Sequence, residues 1–298
     1  MPKLLVPAAT PINADRTIDM TLLAAHCQAL LADGADAIAL FGTTGEATSF
    51  SAEERKAALE GLIAAGIPAE LIMPGTGCPA VTEAIALSRH AFESGCRTVM
   101  TLPPYYYKAV SEDGIRDSVA WLVDAVSDLN PRIILYHIPP VAHVGFPVGL
   151  VRRLADQFKG VIVGVKDSSG DWSNTEKLLD ACPDLDIFPG SETFLLPGLR
   201  KGGAGCITAT GNLNARAIKD LIEETDPVRA DRRHEEIVAY RKTVEARPLI
   251  AAIKAVLAER YEQPSWRAVR PPLQPLPKTE IRPLLDDLAR LSAAPVAG

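Results

Sequence analysis

The chain has 298 residues, is 47% hydrophobic and 23% charged, and carries a formal net charge of −6. That size and apolar content provide a core for one large α/β domain or two ordinary ones, and exclude a disordered chain. No basic stripe is present to neutralise nucleic-acid phosphates. No early segment joins a charged start, a long apolar stretch and a small-residue cleavage site, so neither a nucleic-acid nor a membrane partner is expected and the chain reads as cytoplasmic. In chain order, short apolar runs begin at Leu4 (LLVPAAT), Ala37 (AIALFGTT), Leu71 (LIMPGTG), Thr98 (TVMTLPP), Arg132 (RIILYHIP), Gly160 (GVIVGVK), Asp186 (DIFPGSE) and Gly203 (GAGCITAT), eight in all. Between them lie helical patterns with defined starts, such as Ser51 followed three residues on by Glu54, and Ser111 ahead of 114–122. The alternation predicts an α/β fold, a (β/α)8 TIM barrel over 1–226, with near-continuous apolar strands buried on both faces. A doubly wound sheet would carry a glycine-rich turn after its first strand, and none follows 4–10. From Pro227 the pattern turns helical, with helices expected at 232–246, 248–261 and 279–291, so 227–298 reads as a C-terminal helical extension. The proline-rich stretch 264–277 reads as an ordered connector over the surface. Cys27, Cys78, Cys96, Cys182 and Cys206 are odd in number and lack CxxC spacing, which fits reduced packing thiols.

Active sites of such barrels gather at the C-terminal ends of the strands. The sixth run ends in Lys166, an ammonium delivered to the edge of an apolar interior, where desolvation favours the neutral, nucleophilic amine. Alternation places Ile162, Gly164 and Lys166 on one face, with Val161, Val163, Val165 and Asp167 on the other, so Asp167 points away from the amine. A snorkelling lysine is the bland alternative. The second run ends in Gly42, Thr43, Thr44, Gly45 and Glu46, where two glycines let the backbone approach a small anion and two hydroxyls can hold a carboxylate; a plain tight turn would need the same glycines. Tyr136 shares its phase with Ile134, which aims a phenol into the barrel mouth if Ile133 and Leu135 pack on helices. Alone it reads equally as a core tyrosine with a satisfied hydroxyl. Tyr105, Tyr106 and Tyr107 are three of the chain's six tyrosines in one turn, a pattern suited to a subunit contact or a substrate lid.

Taken together, the chain resembles the dihydrodipicolinate synthase/N-acetylneuraminate lyase family of pyruvate-dependent class I aldolases. The resemblance runs through Ala9 to Pro11, the GTTGE at Gly42, the PYY at Pro104, the LY ending at Tyr136, the GVKDSSG at Gly164, the Gly190 and Ser191 turn, and the strand around Ile207. It implies that Lys166 forms a Schiff base with pyruvate or a 2-keto acid and that Tyr136, Thr43 and Tyr106 relay protons, Tyr106 reaching in from a neighbouring subunit. Thr44, with Gly42, would hold the keto-acid carboxylate, and Gly190 and Ile207 would line the pyruvate pocket. No cofactor or metal is implied. The partners implied are a small 2-keto acid, an aldehyde and further copies of the chain in a homodimer or homotetramer.

One loop departs from the synthase pattern. True synthases of the family place an arginine two residues after the proline that follows the strand-five tyrosine, and it grips the carboxylate of the aspartate semialdehyde adduct. Here 139–145 reads PPVAHVG, with no arginine, and His143 is the polar group left to meet an acceptor, although a loop histidine without function fits as well. Were another basic residue to substitute, Arg216 and Arg247 are the candidates. The reading that ranks first is therefore reversible aldol cleavage of a 2-keto-3-deoxy sugar acid, ahead of a dehydratase or deaminase using the same imine, and ahead of the synthase. Other readings carry less: a metal-dependent aldolase lacks converging histidines, the glycines at Gly190, Gly202, Gly203 and Gly211 suit tight turns better than a phosphate, and a catalytically dead keto-acid sensor has no need of the lysine.

Overall fold

The computed structural model of the chain describes residues 1–293; of the expected extension, 294–298 lie outside the described residues. Seven of the eight apolar runs form strands: β1 (Lys3–Val6), β2 (Ala37–Ile38), β3 (Val99–Thr101), β4 (Ile133–His137), β5 (Ile162–Asp167), β6 (Asp186–Pro189) and β7 (Gly205–Ile207). All pairings are parallel, in the orders β2-β1-β7 and β3-β4-β5-β6. The run at Leu71 forms no strand of its own, because Pro74 has no N–H to give to a ladder. It joins the two sheets through bridges instead. Met73 N donates to Ile38 O (2.8 Å) and Gly75 N to Leu40 O (2.7 Å), while Thr76 N donates to Met100 O (2.8 Å). On the other side Ala204 N donates to Ile187 O (2.9 Å), which links β6 to β7 and completes the ring. The fold is the (β/α)8 barrel that the sequence predicts.

Two layers of core follow from strand alternation. Leu5, Ala39, Met73, Met100, Ile134, Phe188 and Ile207 fill the barrel interior. Their neighbours Leu4, Val6, Ile38, Val99, Leu135, Val165 and Ile187 point outward and pack against helices. Alternation fails at one place. Ile133 pairs with Ile162 but Ile134 pairs with Gly164, a register shift that inserts an extra residue in β5. Ile162 therefore joins the outer layer and Val163 packs against the interior, the reverse of simple alternation. Past the shift the phase is restored.

Helix starts obey capping chemistry. Ser51 and Glu54 form a reciprocal capping box ahead of Ala52–Ala64, and Ser111 accepts from Gly114 N ahead of Glu112–Ala125. The helices of the extension are Pro227–Glu245, Leu249–Arg260 and Lys278–Ala293, the first starting five residues earlier than its periodicity suggests because Asp226 caps it and Pro227 occupies its first turn. They enclose a third core around Trp266, Ala252, Ile253 and Leu284, which also takes in Ala9, Ala209 and Leu213 from the barrel mouth. The proline-rich connector runs over the surface as expected, with Pro264, Pro271, Pro272, Gln274, Pro275 and Pro277 exposed, and it is anchored inward by Trp266, which is fully buried, and by Leu276.

A buried polar knot fastens this layer to the barrel. Asn212 Nδ2 donates to Pro7 O (2.9 Å) and Ala209 O (2.7 Å), while its Oδ1 accepts from Ala9 N (2.9 Å). That orientation makes Oδ1 the acceptor for His26 Nε2 (2.9 Å), leaving His26 Nδ1 to accept from the Tyr261 hydroxyl (2.9 Å). The imidazole is thus held neutral, and burial pulls its pKa down to about 4. Because the folded value lies below the ordinary 6.5, this contribution to stability is complete above about pH 6.5 and is lost as pH falls toward 4. His26→Gln is expected to flatten the acid limb of the stability profile by about 2 kcal/mol between pH 6.5 and 5, measured by urea unfolding at the two pH values. A variant profile parallel to that of the unaltered protein would contradict it.

Candidate active site

The interior phase of β4 and β5 beyond their register shift pairs Tyr136 with Lys166. Both side chains are buried at the C-terminal end of the barrel, and Lys166 Nζ lies 4.3 Å from the centre of the Tyr136 ring. No carboxylate pairs with that amine among the described residues. The neighbouring acid is committed elsewhere: Asp167 accepts from Thr175 Oγ1 (2.6 Å), Asn174 Nδ2 (3.1 Å) and Ser169 N (3.0 Å) on the outer side of the strand. The Tyr136 hydroxyl shares a hydrogen bond with Thr43 Oγ1 at 3.2 Å. Amine, phenol and hydroxyl thus converge on one opening.

That opening comprises two adjoining chambers of about 360 and 530 Å³. Thr43 and Tyr136 border both, Gly42 lines the smaller, and Thr44, Lys166, Gly190 and Ile207 line the larger. Seven of the nine residues singled out in the sequence are therefore assembled around one cavity. Gly190 is closely approached there, since a Cβ at that position would lie 2.0 Å from Ser168 Oγ and 3.0 Å from Ser168 Cβ and would displace the serine side chain. Tyr106 and His143 are not brought in. Tyr106 is 72% exposed on its loop, edge-on to Tyr107, and does not border either chamber within this chain, whereas Tyr105 does. His143 is exposed and ends a short helix at 139–142 with φ 55°. The loop that carries it is anchored by His137, whose Nδ1 accepts from Phe146 N (2.9 Å) and whose ring leaves room for Gly145 only without a Cβ. Burial lowers the pKa of His137, with Asp167 opposing.

The connector and extension form the remaining wall, through Ile250, Val269, Pro272, Leu273 and Gln274. Neither Arg216 nor Arg247 borders the cavity. Arg247 is paired with Asp287 (2.9 Å), and Arg216 reaches the Ala32 carbonyl and Asp220. The arginine that does line the larger chamber is Arg241, which sequence reading missed. Its signal was the buried stripe Ala230, Ile237, Arg241 and Val244 along Pro227–Glu245, in which an arginine stands at an apolar-face position. Among the described residues no three His, Cys, Asp or Glu side chains converge as a metal-ligand set, and no helix is long and apolar enough to cross a membrane.

The threonine turn is held from behind by a second buried lysine. Glu46 adopts left-handed backbone angles, φ 59° and ψ 34°, which a side chain with Cβ disfavours. Its Oε1 accepts from Lys254 Nζ (2.6 Å) and its Oε2 from Arg270 N (2.9 Å), and Lys254 donates also to Thr10 O (2.8 Å). Both partners of this ion pair are wholly buried.

The model of the Dihydrodipicolinate synthetase family matches residues 1–290. The chain belongs to this family. Its members are class I aldolases and lyases, and this chain is an enzyme of that kind. The chain is 34% identical to an uncharacterised DapA-like lyase of Chloroflexus aurantiacus over 288 residues, 95% of each protein. Among solved structures, dihydrodipicolinate synthase from Agrobacterium tumefaciens superposes with a TM-score of 0.91 at 33% identity, covering 98% of this chain and 99% of that one. The Escherichia coli K12 prophage protein YagE, solved in complex with pyruvate, superposes with a TM-score of 0.89 at 26% identity, covering 98% and 99%.

The Glu46–Lys254 pair should behave as a coupled unit. Glu46→Gln or Lys254→Met alone strands a buried charge and is expected to lower unfolding free energy by about 3 to 5 kcal/mol, while the double variant recovers at least half of the loss. Urea denaturation of the four proteins gives the coupling directly, and additive losses would show that the two groups do not depend on each other.

Proposed function

We propose that this chain is a Schiff-base lyase that cleaves 2-keto-3-deoxy sugar acids reversibly to pyruvate and an aldehyde. The observation that carries the reading is a buried amine without a carboxylate partner, set 4.3 Å from the ring of a tyrosine whose hydroxyl is bonded to Thr43. The neutral amine of Lys166 adds to the C2 carbonyl, and loss of water gives the imine. Tyr136, relayed through Thr43, takes the proton of the C4 hydroxyl as the C3–C4 bond breaks. The bonding electrons pass into the imine to leave an enamine, and the aldehyde departs. Protonation at C3 and addition of water to the imine release pyruvate and restore Lys166, so substrate and products balance with no net water. Thr44 and Gly42 hold the carboxylate of the keto acid. The complex of YagE with pyruvate, in a family member of similar fold, supports a small 2-keto acid as the ligand.

Tyr106 completes the relay from a neighbouring copy in a homodimer or homotetramer. Its exposure in the single chain, with Tyr107 at 73% beside it, is what such a contact would cover. The chain divides, in this reading, into a catalytic barrel at 1–226 and a helical extension at 227–298 that walls the cavity. The absence of arginine from 139–145 argues against synthase activity, because a bidentate carboxylate contact worth about 1.5 to 3 kcal/mol is missing from the acceptor loop.

Incubation with pyruvate and borohydride is expected to place a reduced three-carbon adduct on Lys166 and on no other lysine, including Lys254, as read by peptide mass. Turnover by Lys166→Ala would overturn the mechanism. Tyr136→Phe is expected to lower kcat by about 10² to 10⁴ while pyruvate still traps on Lys166. A near-normal kcat would reduce Tyr136 to packing. Pyruvate release from 2-keto-3-deoxy acids, coupled to lactate dehydrogenase and run beside condensation with aspartate semialdehyde, separates lyase from synthase.

A further inference from the structure

Arg241 borders the same chamber as Lys166, and the reaction above gives it no task. Its Nε donates to Glu245 (2.6 Å), and its Nη1 donates to Glu192 (3.2 Å) and to the Thr208 hydroxyl (3.2 Å). Glu192 is wholly buried and accepts in addition from the Thr210 hydroxyl. His234 Nε2 lies 3.0 Å from the Glu192 backbone carbonyl, which pins the same turn. A guanidinium has five N–H donors in one rigid plane. Three are committed by these bonds, and Nη2 has no hydrogen-bond partner among the described residues. The uncommitted edge belongs to a side chain that its neighbours hold rigidly against the cavity.

Charge decides what that edge can accept. One guanidinium already stands against two carboxylates, Glu192 and Glu245, so its charge is more than balanced. A ligand carboxylate brought to Nη2 would be a third anion near a fully buried glutamate, where like charges repel strongly and solvent screens little. A neutral hydroxyl accepts from Nη2 without that opposition. The remaining chamber surface near 139–145, with Val141 and Ala142, offers no cation to a second carboxylate either.

We propose that Arg241 is a specificity residue for the acceptor half of the substrate, donating through Nη2 to a hydroxyl of the sugar tail. The enzyme therefore prefers 2-keto-3-deoxy acids that carry one carboxylate and a polyhydroxylated tail over their dicarboxylic counterparts. The inference rests on the Schiff-base lyase reading and names the substrate class within it.

The test compares three substrates in the pyruvate-release assay: a six-carbon monocarboxylic 2-keto-3-deoxy acid with hydroxyls on C5 and C6, its dicarboxylic counterpart, and 4-hydroxy-2-oxopentanoate, whose tail has no hydroxyl beyond the scissile carbon. The unaltered enzyme is expected to favour the monocarboxylic sugar acid over the dicarboxylic one in kcat/KM. Arg241→Lys keeps a cation beside Glu192 and gives up the planar fork, so it guards against a variant that merely unfolds. In Arg241→Lys and Arg241→Gln, kcat/KM for the sugar acid is expected to fall about tenfold to a hundredfold. The fall for 4-hydroxy-2-oxopentanoate is expected to be at least five times smaller, with borohydride trapping of pyruvate on Lys166 retained. Equal falls for both substrates, no fall for either, or a preference of the unaltered enzyme for the dicarboxylic acid would overturn the role of Arg241 and leave the lyase reading intact. Failure of the unaltered enzyme to trap pyruvate on Lys166 would overturn the lyase reading itself, and the inference with it.

Discussion

Everything at the barrel mouth depends on which residues of β4 face which residues of β5. Alternation starting from Ile133 and Ile162 with no interruption would pair Tyr136 with Val165 and send Lys166 out among the helices. The register shift between Ile133 and Ile134 absorbs one residue of β5 and restores a common phase, so Tyr136 and Lys166 emerge side by side. The shift requires a local defect in the ladder, and Gly164 makes the defect tolerable, since a Cβ there would lie 2.4 Å from Asp186 O.

Among the described residues two lysines are wholly or almost wholly buried, and their surroundings differ. Lys254 is fully enclosed and meets a carboxylate and a carbonyl, the arrangement that lets an ammonium survive in an apolar interior. Lys166 meets an aromatic face and open cavity, with its neighbouring acid turned away and occupied. The first lysine fastens the threonine turn to the extension. The second has no such partner among the described residues and faces the cavity.

Much of this was legible in the sequence because strands and tight turns have short periods. Lys166 and Tyr136 could be phased by alternation over two or three residues, and Thr43 and Thr44 were marked by the glycines that flank them. The early part of β5 was misphased for the complementary reason: nothing in IVGVK announces an inserted residue, and Val163 and Ile162 are equally apolar. Arg241 escaped because its helix carries many charged residues, and one arginine on the inner stripe differs from its neighbours only by position. The connector's prolines correctly suggest a solvated path, but nothing in its composition marks Trp266 and Leu276 as the two side chains that anchor it inward. Tyr106 is a different case, since it stands exposed on its loop in the single chain and the role proposed for it belongs to a contact between copies.

The Glu46 carboxylate joins residues separated by 208 and 224 positions, through Lys254 and the Arg270 amide. Such contacts close very long loops, and their entropic penalty falls due only when the rest of the chain is in place. During synthesis the barrel strands can therefore emerge and pair before the threonine turn acquires its final shape or the larger chamber its outer wall. Competence to enclose the cavity around Lys166 is thus a property of the last quarter of the chain as much as of the strands that carry Lys166 and Tyr136, and loop-closure entropy places it late in folding.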